Sequence, residues 1–437
     1  MADKPISFPQ SISVNDLSII LTNGQSVNIR RLLVDLSYFE DLYSFAVSGY
    51  MHLRDGLGII EKLNLSGVET IRIQFDFTET QKRKTQYFRL YTIPSRDPIG
   101  PMNSEFIKLY FCSEELFLSE QTKVTKSYNT EISTIINTIL NENLKVDKNK
   151  KSINVDSTYG TYNFNIPTLK PFETISWLSI YALPKESAYT NPGADMLFFE
   201  NVDGFYFKSL RNLYKQPIFQ IYTYQQQNIA GQNLGALETN ALDLEFIKAF
   251  NSLEDIESGT FANRLITLDP ITRKVKTTDF NYNNYKEQKL NPGSVLDETQ
   301  NKLGKTQTQE PIGKLKLAIS NSGQKNQPWS RLVNGYGVAH DIQIEEFVPK
   351  RTAQIALANY TLVKLKVPCN PYLKVGQVIN FKLPSILTRE LDSNYSGNYL
   401  ITAVRHIIRP EGGSESIIEI AKDSEVATTN VVNNSLG

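Results

Sequence analysis

Few residues in this 437-residue sequence could carry out acid–base, nucleophilic or metal chemistry. The histidines and cysteines are His52, His340, His406, Cys112 and Cys369. No histidine has the spacing of a zinc-binding motif, so each fits a surface or structural role, and the alternating strand around His406 favours packing. Two cysteines exclude a disulfide scaffold and disfavour a cysteine-based zinc site. Cys112, at the end of a strand, is expected to be a small buried hydrophobic residue.

Carboxylates occur in three clusters along the chain. The clusters are Glu114 with Glu115, then Glu254 with Asp255 and Glu257, then Glu345 with Glu346. Two acids that flank a sugar at about 5–10 Å can hydrolyse a glycoside. Neighbours in sequence do not supply that geometry, so solvated helix faces or loops are the expected structures. A carbohydrate-binding or glycan-hydrolysing β protein of a tail tip, using Trp329 and Tyr336 beside such acids, stays open as an alternative.

Nucleotide, hydrolase and nucleic-acid motifs are also incomplete. The pairs Gly56/Gly58 and Gly335/Gly337 lack the third glycine or the following Lys-Ser/Thr of a phosphate loop, so turns are expected. No GxSxG motif is present. The lysine-rich stretches 82–84 and 145–151 are expected to be solvated loops. The sequence therefore predicts no catalytic, cofactor-binding or metal-binding residues and no enzyme activity.

The charge balance bears on the kind of partner. The chain has 46 Lys+Arg and 46 Asp+Glu, and 40% of its residues are hydrophobic. A neutral chain lacks the basic excess that holds nucleic acid by counterion release, and zero net charge favours association. The length suggests two to four domains. The first residues lack the apolar core of a signal peptide, and no run reaches the roughly 18–20 apolar residues of a membrane span, so no stable membrane association is expected.

The first hundred residues have the alternation of β-strands. In residues 70–78, Ile71, Ile73 and Phe75 point one way, whereas Arg72 and Asp76 point the other. Further strands are predicted over residues 44–53, 86–93 and 105–112. Short strands at this spacing indicate a small barrel or sandwich.

The pattern changes near Glu114. Isoleucines at helical spacing predict a helix over residues 130–144, and a second helix begins at Pro171, the favoured first-turn position for proline. Residues 196–200 and 204–210 flank a turn at Asp203-Gly204, which predicts a β-hairpin. The middle of the chain is therefore mixed α/β.

The last half returns to strands. The predicted elements are a strand over 217–224, a polar loop over 225–235, a helix over 242–257, a strand over 265–278 broken at Asp269-Pro270, a long polar excursion over 290–327, a short helix over 351–360, and strands over 361–367, 377–383, 399–408 and 416–421, followed by a tail. The fold class is α+β and mainly β.

Four stretches together carry a family resemblance. Residues 196–210 resemble the strand–turn–strand of the central baseplate hub proteins of contractile-tailed bacteriophages, and residues 171–179 are similar to the preceding helix there. Residues 259–274 resemble a segment that those hubs share. Residues 373–381, 396–408 and 420–424 look like their C-terminal barrel, which the hub half of type VI secretion spike proteins shares in a looser form. The sequence departs from the family in the polar stretch 290–327 and in lacking an appended lysozyme or spike β-helix.

The resemblance implies two tail-tube-like β-barrel domains in each chain. The implied divisions are 1–113 (first barrel), 114–203 (mixed α/β), 204–241 (start of the second barrel), 242–345 (insertion), 346–424 (rest of the second barrel) and 425–437 (tail). Three chains with two barrels each would form a homotrimeric ring with six similar barrels, which could join a sixfold tube to a threefold spike.

The resemblance also implies partners and a location. These are the tail tube protein or a tube initiator, the central spike protein, and wedge or neighbouring hub proteins, with genomic DNA as transient cargo in the channel. The expected location is the virion baseplate, assembled in the host cytoplasm. The hub of a host-encoded contractile injection system, including type VI-like systems, is the alternative within the same class.

Overall fold

Strands dominate the fold. The computed structural model describes residues 12–77, 82–98, 100, 104–185, 193–224, 239–269, 273–282, 289–293, 314–319, 344–385 and 391–426. The strands are β1 Ile12–Ile20, β2 Ser26–Asn28, β3 Leu33–Asp41, β4 Ser48–Asp55, β5 Thr70–Phe77, β6 Lys82–Pro98, β7 Glu105–Cys112, β8 Ser127–Thr130, β9 Ser152–Val155, β10 Tyr162–Asn165, β11 Met196–Asn201, β12 Gly204–Ser209, β13 Ile218–Tyr224, β14 Asn240–Ala241, β15 Asp243–Lys248, β16 Ala262–Leu268, β17 Val275–Asn281, β18 Lys314–Ile319, β19 Thr361–Pro368, β20 Val378–Lys382, β21 Gly397–Ile408 and β22 Glu415–Lys422.

Short helices lie between these strands. They are α1 Ile59–Leu63, α2 Glu114–Gln121, α3 Ile132–Thr138, α4 Pro171–Ser179, α5 Leu210–Tyr214, α6 Ser252–Ser258 and α7 Ile344–Ala358. A π turn, Ile139–Asn143, extends α3. The predicted mainly β fold with several sheets is confirmed.

The N-terminal strands form an antiparallel block in the order β3-β4-β7-β6-β5-β1-β2. On β5, Ile71, Ile73 and Phe75 are buried, as the alternation predicts. They join one core with Met51 and Leu109 from β4 and β7. The opposite face of β3, β4 and β7 points away from this core because side chains alternate along a strand.

The C-terminal strands form a second block. β20, β21, β22, β19 and β15 are neighbours in that order, and β13 pairs with β20. β14 and β15 follow each other in sequence but pair at opposite ends of this row of strands. Asn240 and Ala241 of β14 pair with β13 at one end, and β15 pairs with β19 at the other. The strands enclose a core that includes Val363, Phe381 and Tyr399.

One strand pair joins the two blocks into a single sheet. β3 and β21 pair antiparallel, with Leu36 opposite Ile408 and Asp41 opposite Ala403. The sheet therefore continues from β15 through β19, β22, β21, β3, β4 and β7 to β6.

The middle region packs helices against a small sheet of order β11-β12-β9. The predicted helices are confirmed, because α3 with its π turn buries Ile132, Ile136 and Leu140, and α4 begins at Pro171 and buries Phe172. A third unit is the sheet β17-β16-β18, on which α7 packs.

The structure differs from the sequence predictions in three places. Residues 242–257 are not one helix but the strand β15 followed by α6. Within the predicted polar excursion, β18 pairs parallel with β16, so its alternating leucines form a strand. The division between residues 203 and 204 falls in the turn of a hairpin, whose second strand pairs with β11 and β9 rather than with C-terminal strands. Residues 225–235 and 427–437 lie outside the described residues.

Candidate functional site

The hairpin β11–β12 lies where the two β blocks and the middle region meet. The predicted hairpin is confirmed, but its turn consists of Val202 and Asp203 rather than Asp203 and Gly204, because Gly204 already pairs with Asn201 in the ladder. Gly204 begins β12 with a φ of 145°, and a Cβ there would lie 2.0 Å from the carbonyl oxygen of Ser152 on β9. Glycine is therefore required, because two backbones approach too closely for a side chain. We call β11, the turn and β12 the central hairpin.

Glu200 places a carboxylate inside the protein, where 1% of the residue is exposed. It accepts hydrogen bonds from the Val47 backbone N–H at 2.8 Å and from Ser113 Oγ at 2.6 Å. Lys151 Nζ lies 2.6 Å from Glu200 and 2.5 Å from Glu115. Burial alone would lower the pKa of Lys151, but the two carboxylates raise it above its usual value, so the lysine stays charged.

Asp203 joins the two β blocks through the turn of the central hairpin. Its carboxylate forms ion pairs with Lys84 of β6 in the N-terminal block and with Lys374 ahead of β20 in the C-terminal block. Burial would raise the pKa of Asp203, but the two ammonium groups lower it below its usual value. The ionised carboxylate therefore links strands that are far apart in sequence.

Glu40 of β3 contacts the same turn from the other side. It is 1% exposed and accepts hydrogen bonds from the backbone N–H groups of Val202 at 2.8 Å and Val375 at 3.1 Å. Burial raises its pKa to about 7, against the opposing effect of these hydrogen bonds. Gln86 donates a further hydrogen bond to the Val202 carbonyl at 2.9 Å.

His406 has a structural role at the β3–β21 pair, as its alternating strand predicts. It is fully buried, and its ring centre lies 4.7 Å from that of Tyr38, with the two ring planes tilted by 33°. Its Nδ1 lies 2.9 Å from Ser416 Oγ and its Nε2 lies 3.1 Å from the Leu373 carbonyl. Burial lowers its pKa to about 4, so the ring is neutral at pH 7, with Nε2–H donating to the carbonyl. We use the name junction for the charges and hydrogen bonds of the buried Glu40, Glu200 and His406 together with those of the half-buried Lys84, Lys151, Asp203 and Lys374.

The remaining residues considered for chemistry do not converge. His52 pairs with Asp35 at 2.9 Å on the sheet surface, and His340 lies outside the described residues. Cys112 and Cys369 are buried and free, and burial raises the pKa of each thiol to about 12. Such thiols are poor nucleophiles, which agrees with the expected packing role of Cys112.

The three carboxylate clusters lie on three different helices, α2, α6 and α7. Their members have ordinary structural partners: Glu114 pairs with Arg89, Asp255 pairs with Lys248, and Glu345 accepts from Thr267. Trp329 and Tyr336 lie outside the described residues. Each of these three carboxylates is therefore held by a structural partner.

The basic stretches contain two half-buried, paired lysines that their composition did not predict. Lys84 and Lys151 belong to the junction, whereas Arg83 forms an exposed pair with Asp76 at 2.8 Å. The expected solvated loops are therefore wrong for these two lysines. Gly56 lies in a bend, Gly58 is the N-cap residue of α1 with a φ of 63°, and the pair Gly335/Gly337 lies outside the described residues.

A signal for the buried acids does exist in the sequence. Glu200 follows Phe198 and Phe199, and Glu40 follows Tyr38 and Phe39. A carboxylate within an aromatic strand run must be paired or hydrogen-bonded when the strand is buried. The sequence does not say which lysines supply the pairs.

The junction can fix positions, but it offers no reacting group. Each buried charge has a charged partner or backbone donors, as burial requires. In the part of the chain that the structure describes, no three His, Cys, Asp or Glu residues are grouped as metal ligands. None of the described helices is long and apolar enough to cross a membrane.

Two solved structures of tail proteins have a similar fold. The tail protein from Neisseria meningitidis MC58 has a TM-score of 0.53 at 9% identity, over 93% of this chain and 96% of that chain. The 43 kDa tail protein of prophage MuSo2 from Shewanella oneidensis has a TM-score of 0.52 at 8% identity, over 94% and 98%. No protein-family model matches the chain. The fold of this chain is therefore similar to that of these two tail proteins.

The sequence is similar to that of a baseplate hub. It is 21% identical over 410 residues to a probable baseplate hub protein of Vibrio phage KVP40, and the alignment covers 92% of each chain. The predicted resemblance to phage baseplate hub proteins is therefore confirmed over nearly the whole length.

Proposed function

We propose that this chain is the central hub of a contractile phage baseplate. Three copies form a ring that joins the sixfold tail tube to the threefold central spike and lets DNA pass. The observation that carries the proposal is the similarity to a baseplate hub protein over 92% of both chains. Wedge or neighbouring hub proteins then bind outside the ring, which is assembled in the host cytoplasm and becomes part of the virion.

The strand pairing supports two tube-like barrels in each chain. In the C-terminal block, pairing runs from β13 through β20, β21, β22 and β19 to β15, and β14 returns it to β13. The strands of the N-terminal block share one core, to which Cys369, Tyr372 and Ile408 of the C-terminal part also belong. The β3–β21 pair joins them side by side, which suits neighbouring barrels of one ring.

The junction supports a fixed relative orientation of the two β blocks. Two barrels of a ring must keep one relative orientation if three copies are to present six barrels in register. Glu40 and Asp203 connect both blocks to the central hairpin through hydrogen bonds and ion pairs. Buried pairs of this kind fix geometry more than they add stability.

Charge pairing on the surface supports DNA as cargo rather than as a bound ligand. On the exposed face of β5, Arg72 lies 2.7 Å from Asp16 and Asp76 lies 2.8 Å from Arg83. Paired charges release few counterions, so they give little affinity for phosphates.

The mass of the purified chain in solution tests the proposal. We expect sedimentation equilibrium to give about three times the 49.6 kDa chain mass for the chain alone, or to show three copies of the chain in the complex with the tube and spike proteins of the same tail. A chain that stays monomeric with both partners would overturn the hub proposal. The neighbouring genes separate a phage tail from a host-encoded injection system.

A further inference from the structure

Helices cover one face of the sheet β17-β16-β18. Asn263 of β16 points to that face, where its Nδ2 donates to the carbonyls of Gly259, which follows α6, and of Pro349 in α7, at 3.0 Å each. Asn263 lies opposite Lys314 of β18 in the parallel ladder, and Lys316 follows two residues later. Because residues in register share a face and side chains alternate along a strand, both lysines point to this helix face.

The opposite face of the sheet is apolar and exposed along β18. Leu315 is 52% exposed and Leu317 is 76% exposed. Leu317 lies beside Ile266 of β16, which is half-buried on the same face. The solvated face of a sheet normally carries polar side chains. Leucines exposed at alternate positions of one strand therefore indicate a contact surface.

β18 is also an edge strand among the described strands. It pairs with β16 on one side, and no described strand pairs with its other side. The backbone N–H and C=O groups of alternate residues there have no strand to bond to. Such an edge can accept a strand from another protein, and lysines on it disfavour unselected pairing. The edge of β18 thus combines a free ladder with a means of selection.

The lysines on the helix face lack acidic partners in the part of the chain that the structure describes. Neither Lys314 nor Lys316 forms an ion pair there, and Lys316 Nζ donates to Thr352 Oγ1 at 2.5 Å. Burial lowers the pKa of Lys316, and the neighbouring cations Lys314 and Arg351 lower it further. Carboxylates placed beside these lysines would relieve the repulsion between like charges.

We propose that β18 accepts an extended acidic segment of another baseplate protein as a fourth strand of this sheet. The inference deepens the binding of wedge or neighbouring hub proteins proposed above and rests on it. Carboxylates alternate with apolar side chains in the added strand. The carboxylates then lie on the helix face near Lys314 and Lys316, and the apolar side chains lie beside Leu315 and Leu317. Backbone hydrogen bonds supply affinity, and the alternation supplies specificity.

Hydrogen exchange tests whether the free edge of β18 is used. In the isolated full-length chain we expect fast exchange at the outward-pointing amides of β18, because water reaches them. In the assembled baseplate of the same tail we expect these amides to exchange about tenfold more slowly or less, whereas those on the outer edge of β17 stay fast. Slow exchange of β18 already in the isolated chain, or fast exchange in both states, would overturn the inference.

Substitutions on the two edges of the sheet test which residues take part. We expect Leu317→Asp to weaken binding of the wedge or neighbouring hub protein about tenfold. Val275→Asp is the matched control, since Val275 is 64% exposed on β17 at the opposite edge of the same face. Lys314→Glu should weaken binding about three- to tenfold, and Lys276→Glu on β17 is its control. Calorimetric titration measures binding, and circular dichroism checks folding. Equal losses at both edges would contradict the inference.

Two synthetic peptides test the preference for acids. One alternates Glu and Val over about eight residues, and the other has Lys in place of every Glu. We expect the acidic peptide alone to slow exchange in β18 of the full-length chain, and to bind Lys314→Glu about three- to tenfold more weakly than wild type. Equal binding of both peptides, or of neither, would overturn the inference. Equal protection of β18 by a short DNA duplex would also overturn it, because DNA has no side chains to lie beside the leucines.

The outcomes separate this inference from the hub proposal. A trimeric wild-type chain whose β18 edge stays open in the assembled baseplate would overturn the strand addition and leave the hub standing. A chain that stays monomeric with its tube and spike partners would overturn the hub proposal itself. The peptide measurements use the chain alone, so they report on β18 separately from the trimer.

Discussion

Glu40 accepts a hydrogen bond from the backbone N–H of Val375 at 3.1 Å, although 335 residues separate the two in sequence. The same carboxylate accepts from Val202 in the central hairpin. One buried side chain therefore holds the N-terminal block, the middle region and the C-terminal block together.

Glu40 should make the protein more stable as the pH falls. Its folded pKa of about 7 lies above the unfolded value of 4.5, so this contribution is complete below pH 4.5 and lost as the pH rises to 7. Its size is about 3 kcal/mol at most. Urea titrations at pH 5 and pH 8 should show that Glu40→Gln abolishes this slope. An unchanged slope in the variant would contradict the assignment.

His406 should make the protein less stable as the pH falls. Its folded pKa of about 4 lies below the ordinary value of 6.5, so its contribution is complete above pH 6.5 and lost as the pH falls to 4. In His406→Gln we expect the loss of stability between pH 6.5 and pH 4.5 to shrink by about 2–3 kcal/mol relative to wild type. Because Glu40 and His406 oppose each other over this window, the wild-type curve should be flatter than that of either variant. If the plots of stability against pH run parallel for the wild type and both variants, the opposing roles of Glu40 and His406 are wrong.

Lys151 should be essential to the fold. Lys151→Met leaves Glu115 and Glu200 without their cation, and breaking a buried pair costs about 3–5 kcal/mol. Lys150→Met is the control, since Lys150 forms an exposed pair with Asp147 at 3.4 Å, and we expect a change below about 1 kcal/mol. Denaturant midpoints of the two variants measure the difference in stability. Equal losses of stability in Lys151→Met and Lys150→Met would refute the prediction.

Gly204 should tolerate no side chain. Gly204→Ala places a Cβ against the Ser152 carbonyl, so we expect a loss of more than about 3 kcal/mol or failure to fold. Gly24→Ala is the control, because Gly24 also has a positive φ but no atom within 4 Å of the added Cβ. There we expect a cost of only about 1–2 kcal/mol, from the backbone alone. Thermal melting compares the pair, and similar costs would show that the close approach to β9 does not matter.

Local patterns predicted individual elements well. Ile71, Ile73 and Phe75 alternate and form β5, and Pro171 marks the first turn of α4. The prediction of one helix over residues 242–257 was wrong. It rested on the helical spacing of four apolar residues, which are all exposed: Leu242, Phe246, Phe250 and Leu253. Their spacing reflects a surface rather than a buried helix face, which periodicity alone does not distinguish.

The junction could not be predicted in the same way. Asp203 pairs with Lys84 and Lys374, which lie 119 and 171 residues away along the chain. Such pairs depend on how blocks pack, and no local pattern records that packing. The resemblance to hub proteins pointed to the central hairpin but not to its charged partners.

The β3–β21 pair has a consequence for synthesis. Ser37 and Arg405 of this pair are 368 residues apart, so at about 5–20 residues per second the ribosome needs roughly 20–70 s between them. During that time the edge of β3 that β21 later covers is open to other chains. Completion of the sheet is therefore a late, post-translational step, and a nascent chain cannot offer the finished sheet to its neighbours before its own C-terminal strands emerge.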